Sequence, residues 1–450
     1  MYASRKHPLL RIICVLLIIM CATPAFSETE NLAEVYEAAL ASDPVYAAAT
    51  ANYQATLEAK PQARSALLPQ ISAFAGFSQI DQSFEDANSI FSSLSTTNFN
   101  NRNYGIRLDQ VIFNRQARIQ LHQADASIAR AAAVLANAKQ DLIVRVSEAY
   151  FEVLTAQDAL EYLSAEKEAI EQQLEQATAR FEVGLIAITD VQETQARFDL
   201  TSALELAAES TLAISIENLR ALTGTDTEQL ERLNESSPLP VPEPNDIDLW
   251  VETATSSNPE VIAAEYTWEI ARQEIQFRKG ERYPTLGLRA QTGEQINDGG
   301  FSEGTSSETT LGLQLNIPLY TGGNIKSQIN QATSLARAAE YQLESTRRNV
   351  VRNTRAQYLN VLSQISQVKA LQQALKSTQT AAEAAEAGFE AGTRTSVDVL
   401  LALSQTYAAQ RDYSRARYDF ILNSLRLKQA AGAVTETDIN MINEWLISSS

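Results

Sequence analysis

The residues that could carry out chemistry are few. Beyond residue 27 the chain has one histidine, His122, and no cysteine. His122 falls early in a long polar stretch of helical character, where a solvated side chain is expected. No zinc-ligand spacing, phosphate-binding glycine loop or nucleophile elbow occurs in the sequence. Chance pairs of carboxylates are inevitable among 55 acidic residues. The sequence therefore predicts no enzyme, no metal site and no cofactor.

Two threonines and the polar residues that follow them suggest helix starts. Thr189 with Gln192, and Thr395 with Asp398, each fit a capping residue followed three positions later by an acceptor. An acid in the first turn of a helix also complements the helix dipole. From the residues alone, helix capping is the preferred interpretation of these side chains.

One ordered pattern of elements occurs twice along the chain. Phe-Glu-x-Gly turns at 181–184 and 389–392 stand 208 positions apart, and a long helical stretch precedes each of them. A match at constant offset indicates two copies of one structural unit. The predicted organisation is a signal sequence at 1–27, a first repeat at 28–224, a Pro-rich linker at 225–245, a second repeat at 246–432 and a C-terminal tail at 433–450.

The first 27 residues are typical of a secretory signal. A basic start precedes an apolar run at Ile12–Cys21 and a small-x-small cleavage site at Ala25–Ser27. The run is shorter than the roughly 20 residues that a membrane-spanning helix needs. Cleavage would remove both cysteines, Cys14 and Cys21, and leave 33 basic and 55 acidic residues, a net charge of −22. That charge disfavours nucleic acid or an anionic membrane surface as a partner.

Two stretches, 106–183 and 324–387, contain neither glycine nor proline and are rich in strong helix formers. A continuous helix of about 65 residues would run roughly 100 Å. Each stretch carries an apolar stripe repeated every three or four residues, in which Tyr150 and Tyr358 correspond. This spacing predicts a coiled-coil packing surface without chemistry of its own.

Four segments alternate between apolar and polar residues and predict two pairs of strands. They lie at 71–78, 104–109, 286–291 and 311–317. The apolar face could pack on a soluble core or face lipid. Arg107, Asp109 and Arg289 all lie on the opposite face, which fits the wall of a transmembrane barrel. Four strands cannot close such a barrel, for which about eight is the lower limit. Since lipid tolerates no open sheet edge, membrane strands would require several chains to complete the barrel.

Three motifs resemble those of the TolC family of outer-membrane channel proteins. They are Leu67-Leu68-Pro69-Gln70, Ile317-Pro318-Leu319-Tyr320-Thr321-Gly322-Gly323 and, most specifically, Gly392-Thr393-Arg394-Thr395-Ser396-Val397-Asp398-Val399-Leu400. The resemblance covers nearly the whole chain after residue 27. It implies a mixed α and β homotrimer in which each protomer gives four strands to an antiparallel transmembrane β-barrel. The helices would form a long α-helical coiled-coil barrel, the periplasmic tunnel.

The resemblance also implies partners and a location. The channel would lie in the lipid of the outer membrane and extend into the periplasm. It would accept cargo from an inner-membrane pump through a periplasmic adaptor, or membrane fusion, protein. The cargo of such channels is drugs, other small toxic molecules or whole proteins, and the sequence does not distinguish these.

In the family, the turn regions at the tunnel entrance carry a network that holds the pore shut. Thr189 and Asp190 match the first-repeat positions of this network, and Arg394 matches its basic partner in the second repeat. Phe389 stands where the family often has a tyrosine, so the resemblance implies that a hydroxyl hydrogen bond is lost.

The resemblance assigns an acidic ring to the same entrance. Asp398 matches the outer of two acidic rings in the family, whereas the second ring would fall at Leu401, which is apolar here. Glu193 lies at the equivalent place in the first repeat and is hypothesised to restore part of the charge. Three copies of Asp398 around a narrow axis would attract cations, repel anions and raise the apparent pKa of the carboxyl.

A soluble periplasmic coiled-coil adaptor or scaffold is the alternative function. An adaptor would need a carrier-like β domain between its helix arms, whereas this chain has two pairs of membrane-type strands. Cell fractionation separates the two functions, because a channel stays with the outer membrane and a scaffold is released.

Overall fold

The computed structural model describes residues 29–83, 96–226, 229–234, 236–299 and 303–447. The predicted signal sequence at 1–27, with Cys14 and Cys21, lies outside these residues. In the first half, helices α1 (Leu32–Ser42), α2 (Pro44–Leu57) and α3 (Ala59–Ser65) precede strands β1 (Gln70–Ser83) and β2 (Thr96–Phe113). Helices α4 (Arg115–Glu182) and α5 (Ile188–Thr223) follow as a hairpin.

The second half uses the same order of elements. After the short strand β3 (Arg232–Leu233) come α6 (Ile247–Ser257), α7 (Pro259–Gly280), β4 (Thr285–Asn297) and β5 (Gly304–Asn316). The second hairpin is α8 (Asn324–Glu390) and α9 (Ser396–Ala430), and α10 (Glu436–Asn443) and β6 (Leu446–Ile447) follow it. The halves differ where α2 and α3 of the first match the single helix α7 of the second.

The two long helices are the predicted glycine-free stretches, and they have 68 and 67 residues. At 1.5 Å per residue each is about 100 Å long. Asn114 caps the first, its side chain accepting from the backbone N–H of Ala117 at 3.2 Å. Both end before a glycine with positive φ, 76° at Gly184 and 72° at Gly392. Because residues with a Cβ rarely adopt that conformation, the repeated turn motif requires glycine.

The four long strands form one antiparallel sheet in the order β1-β2-β4-β5. Pairing of β2 with β4 joins the two halves, with Ile106 opposite Thr292, while β1 and β5 are the edges. The predicted apolar face is exposed in the single chain, with Ile71 71% and Leu313 67% accessible. The predicted mixture of long helix hairpins and four antiparallel strands is therefore confirmed.

The main apolar core lies midway along the long helices. Phe151 of α4 stacks on Tyr418 of α9 with ring centroids 5.5 Å apart, and both side chains are buried. The corresponding tyrosines of the predicted stripes bind the segment that joins the halves. The hydroxyl of Tyr150 donates to the carbonyl of Glu231 at 2.8 Å, and that of Tyr358 donates to the side chain of Asn245 at 2.8 Å. The stripe is thus a packing surface, as predicted, with a polar tip on each tyrosine.

Three distant segments meet beside this core in what we call the equatorial belt, formed by Glu30, Leu230–Leu233 and Leu446–Ile447. Strand β3 pairs antiparallel with β6, Leu233 opposite Leu446, and Glu30 bridges to Leu230 in parallel. The segment at 225–245 and the tail therefore contribute regular structure to the middle of the molecule. None of the helices in the described parts of the chain has the length and apolar character needed to cross a membrane.

Candidate functional site

The candidate site is formed by the two helix turns at the far end of the hairpins. In the first turn, the backbone N–H of Leu185 donates to the carbonyl of Arg180 at 2.9 Å. In the second turn, the N–H groups of Thr393 and Arg394 donate to the carbonyl of Gly388 at 2.8 and 3.1 Å. These bonds close each turn tightly and place the start of the following helix beside the end of the preceding one.

The second turn has the capping box that the sequence predicts. The backbone N–H of Thr395 donates to the Asp398 carboxylate at 2.9 Å, as does its hydroxyl, also at 2.9 Å. The N–H of Asp398 donates back to the Thr395 hydroxyl at 3.2 Å. This reciprocal pair satisfies donors that the first turn of α9 would otherwise leave free.

The predicted cap at Thr189 is wrong. Helix α5 begins at Ile188 after Ala187, and no side-chain cap is formed there. The reason lies in the repeat, since the offset of 208 places Ala187, and not Thr189, opposite Thr395. Thr189 is an exposed residue of the first helical turn.

Asp398 and Arg394 are neighbours on the surface of the second turn. Their closest charged atoms, Arg394 Nη1 and Asp398 Oδ1, are 3.9 Å apart, with the side chains 61% and 41% exposed. The Thr395 backbone N–H and then its hydroxyl hold the pKa of the Asp398 carboxyl below its ordinary value, with a smaller contribution from Arg394. Within one chain the carboxylate is therefore ionised at neutral pH, which opposes the increase in pKa expected from a ring of three copies.

Phe389 joins the two hairpins through a contact that the sequence analysis did not identify. Its buried ring packs with Ala385 and Val399, and the guanidinium carbon of Arg180, on α4, lies 4.2 Å from the ring centroid. A cation over an aromatic face is attracted by the ring quadrupole. The only signal for Arg180 in the sequence is a basic residue in the last turn of a helix, and this does not name its partner.

The remaining predicted residues, Asp190, Glu193 and Leu401, lie near the turns. In the parts of the chain that the structure describes, no ion pair within 4.0 Å joins Asp190 to Arg394. The backbone carbonyl of Asp190 accepts from the hydroxyl of Thr194 at 2.8 Å. Glu193 is exposed one turn further along α5. Leu401, at the position of the absent second ring, is 58% exposed.

Comparison with known proteins identifies the scaffold that carries these turns. A family model described as Outer membrane efflux protein matches residues 35–225 and 250–433. Outer membrane protein TolC of Vibrio cholerae is 38% identical over 423 residues, which cover 93% of this chain and 94% of that protein. Outer membrane protein TolC of Escherichia coli is 34% identical over 435 residues, which cover 94% of this chain and 86% of that protein.

The fold has a close counterpart among solved structures. The CmeC outer membrane channel of Campylobacter jejuni superposes with a TM-score of 0.79 at 16% identity, covering 94% of this chain and 91% of that one. At that identity the likeness establishes the fold alone. The relatives are channel proteins rather than enzymes, and those above 30% identity are named as outer membrane proteins, so the adaptor alternative is not favoured. With its two halves matched by one family model and relatives above 30% identical over most of its length, this chain belongs to the outer membrane efflux protein family and is an export channel of the outer membrane.

Proposed function

We propose that three copies of this chain form the channel and that each contributes its four-stranded sheet to one barrel. The supporting observation is the sheet itself, which leaves β1 and β5 as open edges and exposes an apolar face. Neither feature is stable in lipid for a single chain, because an unpaired edge leaves backbone groups without hydrogen bonds. Neighbouring copies would pair β5 of one with β1 of the next and turn the apolar face outward.

The two repeats, 28–224 and 246–432, would each supply one helix hairpin to a periplasmic tunnel about 100 Å long. The turns described above then lie at the tunnel entrance. Thr189, Asp190, Arg394 and Phe389 form the network that keeps this entrance closed. Because Asp190 has no ion pair with Arg394 inside the chain, their proposed contact is one between neighbouring protomers.

The entrance also carries the charge that selects ions. Asp398 of three protomers forms an acidic ring, which Glu193 supplements where Leu401 cannot. The chain acts as a duct without a catalytic step. Energy and choice of cargo come from an inner-membrane pump, which docks through a periplasmic adaptor protein.

Two measurements on the full-length protein test this function. The protein purified in detergent should have the mass of a trimer, and it should produce discrete current steps in a planar lipid bilayer. In cells it should sediment with the outer membrane. A protein that is a monodisperse single subunit without detergent, and that produces no current steps, would exclude the proposal.

A further inference from the structure

A buried carboxylate lies between the two helix hairpins, at a distance from the entrance turns. Glu166 belongs to the inward seam of α4 that runs through Leu163, Glu166, Ile170, Gln173 and Ala177. Its side chain is 4% exposed. An ionised carboxylate in such a seam is unfavourable unless charged partners and hydrogen bonds compensate it.

Residues from two other helices provide that compensation. Arg197 of α5 contacts one carboxylate oxygen at 3.4 Å, and Arg411 of α9 contacts the other at 3.3 Å. The Nε of Arg197 also donates to the hydroxyl of Ser404 on α9 at 3.1 Å. We call these four side chains, Glu166, Arg197, Ser404 and Arg411, the Glu166 clasp.

Only part of the clasp crosses between the hairpins. The pair of Glu166 with Arg197 joins α4 to α5 and stays within the first hairpin. The pair of Glu166 with Arg411 and the bond from Arg197 to Ser404 both join the first hairpin to α9. If the hairpins separate, the contacts of Glu166 with Arg411 and of Arg197 with Ser404 must break. The pair of Glu166 with Arg197 can persist.

The position of the clasp sets it apart from the entrance network. Glu166 is 16 residues before the end of α4 at Glu182, which corresponds to about 24 Å along the helix. The α4 members of the main apolar core extend no further than Leu154. The clasp therefore lies in the interval between that core and the turns.

The cross-hairpin contacts of the clasp are long and partly exposed to solvent, as expected for contacts that can break and form again. Both of its cross-hairpin distances exceed 3 Å, and the side chains of Arg197 and Arg411 are 37% and 27% exposed. Water can therefore replace the carboxylate as their partner when the helices move apart.

We propose that the Glu166 clasp is a second lock on the tunnel, which must release before the two hairpins of one chain can part at the entrance. This inference rests on the proposed function as a gated channel. It assigns Glu166 and Arg411 as positioning residues of the closed state, in addition to the residues of the turns.

The test compares single-channel records of the wild type, Glu166→Gln and Arg411→Gln in planar bilayers. Loss of a charge-assisted hydrogen bond of this kind should raise the ratio of open to closed time about 10-fold. The double variant should open no more than Glu166→Gln alone, because both changes remove the same lock.

Lys167 provides a matched control at the adjacent position. Its Nζ contacts Glu205 of α5 at 2.7 Å, so this ion pair stays within the first hairpin. Lys167→Gln should leave the ratio of open to closed time at the wild-type value. An equal increase in this control would show that any loss of charge loosens the bundle, and would overturn the assignment.

The remaining outcomes are also decisive. The wild type could conduct, and Glu166→Gln and Arg411→Gln could open and close as it does. That result would overturn the second lock and leave the proposed function standing. A wild type that forms no pore would remove the proposed function itself. Should Glu166→Gln fail to assemble, the milder Arg411→Gln and Ser404→Ala, which leave the pair within the first hairpin intact, carry the same prediction.

Discussion

Replacing Asp398 by Asn should reduce cation selectivity while leaving most of the helix cap in place. An amide oxygen at position 398 can still accept from the backbone N–H of Thr395, which now lies 2.9 Å from the carboxylate. The negative charge disappears, and with it the partner of Arg394 at 3.9 Å. Hydrogen bonds from Thr395 lower the pKa of Asp398 within one chain, and they oppose the increase in pKa that three neighbouring carboxylates would cause in the proposed ring.

The size of the effect follows from Coulomb attraction in a wet entrance. Suppose that three carboxylates lie about 5–10 Å from a permeating ion in water, screened by physiological salt. They then raise the local concentration of a monovalent cation by about two- to tenfold, compared with an uncharged entrance. The same charges repel an anion by an equal free energy, so Asp398→Asn should lower the ratio of cation to anion permeability by about the square of that factor, roughly 4- to 100-fold. Block by multivalent cations should weaken in parallel, because it depends more steeply on the same charge.

The assay is the reversal potential of the channel in a salt gradient, measured beside Thr395→Ala. That control removes the hydroxyl of the capping box at a cost of about 1 kcal/mol to the helix start but keeps the carboxylate. Selectivity should fall in Asp398→Asn and persist in Thr395→Ala. The opposite pattern would refute the electrostatic reasoning and leave Asp398 as a capping residue.

Three further predictions address the entrance, the core and the sheet. Arg394→Ser should enlarge the open fraction of the channel by up to about fivefold in bilayer recordings; wild-type conductance would contradict its place in the closing network. The Arg145 guanidinium holds the pKa of the buried Asp43 below its ordinary value, so this stabilisation is complete above about pH 4 and disappears as the pH falls through the folded pKa. Asp43→Asn should lower the melting temperature by about 2–4 °C near neutral pH and flatten its dependence on pH; an unchanged acid profile would exclude this pair as a contributor. Leu313→Arg should reduce recovery in the outer-membrane fraction, since a lipid-facing arginine costs about 2–4 kcal/mol at mid-bilayer; Gln314→Arg on the opposite face is the control, and equal recovery would refute the assignment of faces.

The sequence predicted the two longest helices and the four strands of the main sheet, but not the full extent of the strands. Alternation marks β2 only from Tyr104, although the strand begins at Thr96. Apart from Phe99, its outer half is polar on both faces, with Asn98, Asn100 and Asn101 among its residues. That half is held by backbone pairing and by contacts such as Asn101 with Asn297 at 2.6 Å, and neither of these produces a hydrophobic period.

At the entrance turns, too, the sequence predicted contacts between near neighbours in the chain but not contacts between distant segments. The capping box at Thr395 and Asp398 follows from residues three positions apart, so the sequence could predict it. The placement of Arg180 over Phe389 depends on how two hairpins pack, and no local pattern encodes it. The prediction at Thr189 was wrong because a threonine at the second position of a helix cannot be distinguished by residue type from one at the N-cap.

The equatorial belt has a consequence for the order of folding. Its three segments come from near residues 30, 230 and 446. Every contact in the belt therefore closes a very long loop, and such contacts form slowly. Since synthesis runs from the amino terminus, the segment at Leu446 leaves the ribosome only after both hairpins have been made. The pairing of β3 with β6 therefore cannot form until nearly the whole chain has been synthesised, and the middle of the molecule gains its last backbone contacts only after both hairpins exist.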